Sequence, residues 1–200
     1  MAVVSNGTTL IDNGALDPAV PTGSLILLST QTASSSANIS FTSGIDSTYD
    51  SYVFKFINIH PATDASNFTF NMSIDSGSNY NVTKTTTFFQ AFHNEANTET
   101  QLEYRTPSDL AQSTGEQQLC NRVGNGADES VSGVLQLFNP SSTTYVKHFI
   151  ATTNCLFDAE ASVNNFVAGY GNTTSAINAI RFQMSSGNID DGIIKMYGVK

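Results

Sequence analysis

Residues 67–75 read NFTFNMSID. Phe68, Phe70, Met72 and Ile74 occupy one parity, and Asn67, Thr69, Asn71 and Ser73 the other. A period of two sends alternate side chains to opposite faces of a strand, so this stretch predicts a strand with one apolar face. Residues 38–42 (NISFT) repeat the pattern with Ile39 and Phe41. In residues 51–60 (SYVFKFINIH), Tyr52, Phe54 and Phe56 oppose Val53, Lys55, Ile57 and Ile59. A strand apolar on both faces suits a sheet centre or a subunit contact. Residues 134–138, 145–151, 180–184 and 193–199 also read as strands, and the last of these is expected to be paired within the sheet.

Turn dipeptides separate these runs: Ser76-Gly77, Asn125-Gly126, Asn139-Pro140, Gly187-Asn188 and Asp191-Gly192. Short strands at such intervals predict an all-β fold, an antiparallel β-sandwich or barrel, over residues 23–200. Residues 108–118 hold at most one short helix. Residues 94–132 are the most polar part apart from Leu102, Tyr104 and Leu119, and predict long loops with weak strands and an exposed face. No repeat of fixed period stands out.

Residues 1–22 differ. Asn6-Gly7 and Asn13-Gly14 are turn dipeptides, and Pro18 and Pro21 interrupt any ladder. This predicts an extended N-terminal arm, with Val3, Val4, Leu10 and Ile11 as candidate interface residues against a neighbouring subunit.

Composition agrees with a β fold. There are 13 Phe and 7 Tyr but no Trp, and charged residues are 12% of the chain. Ser, Thr and Asn supply about a third of it; their side chains compete for backbone hydrogen bonds and disfavour helix interiors. Burying about ten phenylalanines contributes roughly 15–30 kcal/mol before chain entropy is charged against it. The net charge is −9, with only 8 Lys and Arg and no basic run, which argues against nucleic-acid binding. The opening residues lack a positive segment followed by an apolar run, so no secretory leader or membrane span is expected. Cys120 and Cys155 are the only cysteines; a disulfide between them and two reduced thiols both remain open, reduced thiols being expected in a cytoplasmic product.

Motifs for chemistry are missing. There is no G-x-S-x-G elbow, no phosphate-binding glycine loop and no H-E-x-x-H. His60, His93 and His148 have no metal-ligand spacing. Residues 75–79 (DSGSN) and 188–192 (NIDDG) are oxygen-rich; calcium loops and Asx turns both fit, and Asx turns explain them more simply. The expectation is therefore no catalytic residues, no metal and no cofactor.

Several phrases carry a resemblance: MAVVSNGTTLIDNGAL (1–16), FKFINIHPAT (54–63), NYNVTKTTTFF (79–89), LFNPSSTTYVKHF (137–149), FVAGYGNTTSAI (166–177) and SGNIDDGIIKMYGVK (186–200). Together they resemble virion structural proteins of tailed, marine-type bacteriophages. That resemblance implies a jelly-roll module of capsid decoration, tail or fibre type, assembled in the host cytoplasm and carried on the virion. It implies self-association, commonly as a homotrimer, and contact with major capsid or tail proteins, and it brings no catalytic residues. Capsid decoration is the first expectation. A tail-fibre or tail-tip module binding a host surface glycan or receptor is the alternative, with Tyr80, Phe88, Phe89, Phe92 and Tyr104 as contact rings unless the core takes them. A polysaccharide depolymerase ranks last.

Overall fold

The computed structural model describes residues 3–5, 8–12, 15–16 and 25–200. In chain order its strands are β1 (Val3–Ser5), β2 (Thr8–Asp12), β3 (Ala15–Leu16), β4 (Leu25–Ser36), β5 (Ile39–Phe41), β6 (Ser51–Pro61), β7 (Ser66–Ser73) and β8 (Lys84–Asn94). They continue with β9 (Thr100–Tyr104), β10 (Gln117–Val123), β11 (Val131–Phe138), β12 (Lys147–Phe157), β13 (Ala161–Gly171), β14 (Ala179–Met184) and β15 (Ile189–Val199). Every pairing among them is antiparallel. The described residues contain no α-helix, only a 3₁₀ turn at Thr106–Ser108.

The main sheet runs β4-β15-β6-β11-β12-β10-β7-β14-β5, and β13, β8 and β9 continue outward from β12. Its two ends come back together, where Gln31 Nε2 on β4 donates to Ser40 O on β5 at 2.7 Å. The sheet is therefore nearly closed. One limb passes to the other at a narrow seam, where β10 and β12 share the single register pair Val123↔Phe157.

Inward-facing aromatics hold the limbs together. Phe182 on β14 packs against Phe54 and Phe56 of β6 at ring distances of 5.4 and 5.1 Å, although β14 and β6 share no ladder. Phe41–Phe54, Phe56–Phe68 and Phe70–Phe149 cross the interior at 5.5, 5.1 and 4.9 Å. Each buried ring contributes about 1.5–3 kcal/mol through lost apolar exposure. Edge-to-face pairs add about 0.5–1.5 kcal/mol.

The stretch 67–75 forms β7 as its alternation requires: Phe68, Phe70 and Met72 are fully buried. Ile74 departs from the pattern. It lies just past the strand end and is 43% exposed, because the chain turns at residues 75–79. In β6 a bulge breaks the alternation. Asn58 has φ +49°, and the register with β11 and β15 shifts around it. The extra residue flips the parity, so Ile57 is exposed while Ile59 turns inward. Gly192 on the facing β15 has φ +124°, and a Cβ there would meet Asn58 O at 2.7 Å, so only glycine fits against the bulge.

Two expectations within residues 94–132 are corrected. The short helix that residues 108–118 could hold is absent; the 3₁₀ turn is followed by irregular chain with one isolated bridge, Lys84↔Ser113, leading into β10. β10 is no weak loop strand but a buried one, with Leu119, Cys120 and Val123 at zero exposure. Its polar members disguise it. Gln117 is fully buried because its Oε1 accepts from Thr86 Oγ1 while its Nε2 donates to Ser108 O and Gln118 O.

At the N-terminus, β1, β2 and β3 pair as a three-stranded meander, with Val3↔Ile11 and Val4↔Thr9 in register. Val4 is 56% exposed. The turn dipeptides Asn6-Gly7 and Asn13-Gly14, together with Pro18 and Pro21, lie outside the described residues, as do the side chains of Val3, Leu10 and Ile11.

Phe182→Ala should cost about 3–5 kcal/mol, since it empties the ring position that both limbs share. Urea denaturation measures this, and a loss under 1 kcal/mol would mean that the aromatic cluster does not hold the limbs.

Candidate interaction surface

β12, β13 and β8 form the most regular part of the sheet. Lys147–Phe157 pairs residue by residue with Ala161–Gly171, and that strand with Lys84–Asn94. Unbroken register keeps the parity constant, so one face of this wing is inward throughout and the other outward. The inward face carries Phe88, Phe149, Val163 and Val167, all buried.

The outward face is unusually apolar for a polar chain. One registered row crosses it as Lys195↔Lys55↔Val134↔Thr152↔Phe166↔Phe89↔Tyr104. The neighbouring row runs Leu27↔Tyr197↔Val53↔Gln136↔Ile150↔Ala168↔Thr87. Phe89 and Phe166 stack at 4.8 Å, with ring planes 11° apart. Ile150 is 55% exposed, Tyr104 51% and Leu27 52%. Leu102, beyond these rows on β9, reaches 75%. Two shallow depressions lie on this surface, one lined by Thr87, Phe89, Ile150 and Phe166, the other by His148, Ala168 and Tyr170. The only charged side chains in the two rows are Lys55 and Lys195, directly opposite each other across β6 and β15. Single exposed hydrophobics are ordinary; a contiguous apolar field marks a contact surface.

The contact rings proposed from sequence divide. Phe89 and Tyr104 are on this face and exposed, whereas Phe88 is wholly buried. Phe92 packs against the core and Phe157 at 5.8 Å. Tyr80 lies under the Arg181 guanidinium, 4.5 Å from its ring centre. Val134, Ile150 and Phe166 belong to the face yet had not stood out in the sequence. Their signal is a shared parity over three strands, which appears only once the register is known.

The histidines do not converge. His60 Nδ1 lies 2.7 Å from Glu129 O and His93 Nε2 3.1 Å from Asn97 Oδ1, while the His148 ring sits 6.0 Å from that of Tyr170. Among the described residues no three His, Cys, Asp or Glu side chains cluster as metal ligands. At residues 75–79 the Asp75 carboxylate accepts from Ser73 Oγ, Asn79 N and Asn79 Nδ2 at 2.7–2.8 Å, an Asx-type turn. These bonds, chiefly those from Asn79, hold its pKa down at about 2. In residues 188–192, Asp190 accepts from Ser35 Oγ and Asp191 from the Gly192 amide.

Two lysines point inward on either side of Gly171, with which both are in register. Lys84 and Lys147 are fully buried. Lys84 Nζ donates to Asn71 Oδ1 at 2.6 Å and Val82 O at 2.8 Å; Lys147 Nζ donates to Tyr145 O at 2.6 Å and Thr173 O at 3.2 Å. Burial pushes the Lys84 pKa down to about 8, against a smaller opposing pull from Glu116, and burial lowers that of Lys147 as well. A depressed lysine pKa serves amine nucleophiles, but an ammonium committed to two oxygens at zero exposure offers no amine to a substrate.

No protein family matches this chain, and no curated protein or solved structure matches it.

Between pH 8 and the unfolded lysine value near 10.5, the unfolded chain binds the proton that folded Lys84 has released. Stability should therefore rise with pH in that window, by at most about 2 kcal/mol up to pH 9.5. Burial raises the Tyr52 pKa, which opposes the trend near pH 10 and above. Urea melts at pH 7.5 and 9.5 read this directly. Lys84→Met should flatten the rise, leaving the smaller contribution of Lys147; an unchanged slope would show that Lys84 is not its source.

Proposed function

We propose that this chain is a non-enzymatic virion structural protein, most specifically a capsid decoration or cement protein, acting by docking to copies of itself and to a major capsid protein. The observation that carries the reading is the apolar outer face of β11, β12, β13, β8 and β9. The sequence resemblance to phage structural proteins points the same way. Association through such a face buries apolar area between subunits and so lowers the free energy of a closed shell. The chain carries a net charge of −9, but the two face rows contain lysines and no carboxylate. Electrostatics therefore favours an acidic surface as the neighbour, which another copy of the chain can supply.

The strand order supports a jelly-roll reading. Eight strands taken in chain order as β4, β5, β6, β7, β10, β11, β14 and β15 pair as β4-β15-β6-β11 and β5-β14-β7-β10. That order matches the one a jelly roll would have, with the first, eighth, third and sixth strands in one four-stranded sheet and the second, seventh, fourth and fifth in the other. In that scheme β8–β9 and β12–β13 are insertions that widen one sheet and create the outer face. The N-terminal segment, with Val3, Val4, Leu10 and Ile11, is proposed as a second docking element, which swaps or lies across a neighbour.

One observation favours a second reading. Phe89, Phe166 and Tyr104 form an outward aromatic row, with Phe89 and Tyr104 exposed and Phe166 half-buried, the kind of platform on which a sugar ring stacks. A tail-tip module binding host surface glycan uses such a row without any subunit contact.

Light scattering with purified protein separates the two. The wild type should form a homo-oligomer, a trimer being the expected state, and Ile150→Glu with Phe89→Glu should dissociate it at least tenfold while leaving the melting temperature of the subunit intact. A wild type that stays monomeric at high concentration, does not coat capsid shells and blocks phage adsorption to cells overturns decoration in favour of receptor binding.

A further inference from the structure

Cys120 and Cys155 meet at the narrowest point of the sheet. Cys120 is on β10 and Cys155 on β12, 35 positions apart in the chain, with their Sγ atoms 2.6 Å from one another. Both thiols are free and buried. Around them Asn165 Nδ2 donates to Cys120 Sγ at 3.2 Å, and Thr153 Oγ1 donates to Leu119 O at 2.6 Å. These side-chain bonds supplement a backbone seam with one register pair, flanked by the longer contacts Asp158 N to Arg122 O at 3.2 Å and Gly124 N to Leu156 O at 3.4 Å.

We propose that Cys120 and Cys155 are a facultative disulfide, a covalent clasp for the seam between the two limbs of the sheet. Formation is a two-electron oxidation by a small-molecule disulfide of the glutathione type. The thiolate of one cysteine attacks that disulfide, forming a mixed disulfide and releasing one small thiol. The second cysteine then attacks the protein sulfur of the mixed disulfide and expels the other small thiol. The two cysteine protons end on the two released thiols, and the reagent is reduced as the pair is oxidised.

Burial decides when this happens. A small disulfide cannot approach sulfurs enclosed by β10, β12 and β13, and desolvation pushes the Cys120 thiol pKa well up, which suppresses the thiolate. The clasp therefore closes while β10 is undocked, during folding or local opening, and once the strand is seated the core shields it from reductant. A chain folded in a reducing cytoplasm carries two thiols, and the same chain folded or opened in an oxidising medium carries the clasp. Closing a loop of this length shifts the unfolding equilibrium by roughly 10²–10³-fold.

The test uses the intact wild-type chain, with the double cysteine-to-alanine variant as its control. Protein is unfolded and refolded with oxidised glutathione or with reductant, then denatured for thiol titration and weighed without reduction. The clasp predicts no titratable thiol, a monomer lighter by two hydrogens, and a melting temperature higher by roughly 5–15 °C that reductant applied to the unfolded chain abolishes. The already folded, reduced protein should react with the same reagent at least tenfold more slowly. Two remaining thiols, stable glutathione adducts or disulfide-linked dimers after oxidative refolding would overturn the proposal. So would an equal oxidant-dependent rise in melting temperature in the Cys120→Ala, Cys155→Ala double variant.

Discussion

The contact between β14 and β6 through Phe182, Phe54 and Phe56 is the constraint on which the other features rest. These two strands share no ladder, so side-chain packing holds them over one another, while hydrogen bonds join the limbs at the sheet ends and at the seam. With the limbs closed, inward residues on β7, β10 and β12 become core, and their opposite faces must be outside. The backbone connection between the limbs is slight, with one register pair at the seam. The interior therefore contributes what the ladder omits: aromatic contacts along its length and a thiol pair at its thinnest point.

Gln117, Lys84 and Lys147 have partners inside this interior that account for their burial, whereas both amide atoms of Asn121 have none among the described residues. Gln117 ties β10 to β8 and to the 3₁₀ turn, and Lys84 and Lys147 satisfy backbone carbonyls near the loop ends. Such groups give the core register specificity at an energetic cost, because a one-residue slip strands a buried charge or amide. The lysine arrangement also makes stability depend on pH in the alkaline range.

On the outside, β12, β13 and β8 carry the apolar field. In a chain with a Ser, Thr and Asn exterior, that field is the departure from pattern, and the proposed association with a neighbour would bury it. The proposed oligomer, capsid contact and aromatic platform would be alternative uses of the same rows, and they differ in what covers Ile150 and Phe89.

Much of the β architecture is legible in the chain itself. Alternation at residues 67–72 identifies a strand and its inward residues, and residues 51–56 and 180–184 also read as strands, because a period of two needs no knowledge of partners. The bulge at Asn58 escapes that reading; it depends on close approach to Gly192 on a strand about 130 residues away. β10 escapes it too, since Gln117 and Asn121 look exposed until the structure supplies their burial. The pairing of Cys120 with Cys155, the separation of the three histidines and the apolar outer rows belong to tertiary structure alone. Each is a relation between side chains on strands distant in sequence, and local periodicity carries face but not register. The sequence by itself determined that this chain makes strands, where many of them lie and, at residues 67–72, which aromatics turn inward. Only the closed sheet decided which outward residues stand side by side, because hydrogen-bond register, and not residue type, sets their neighbours.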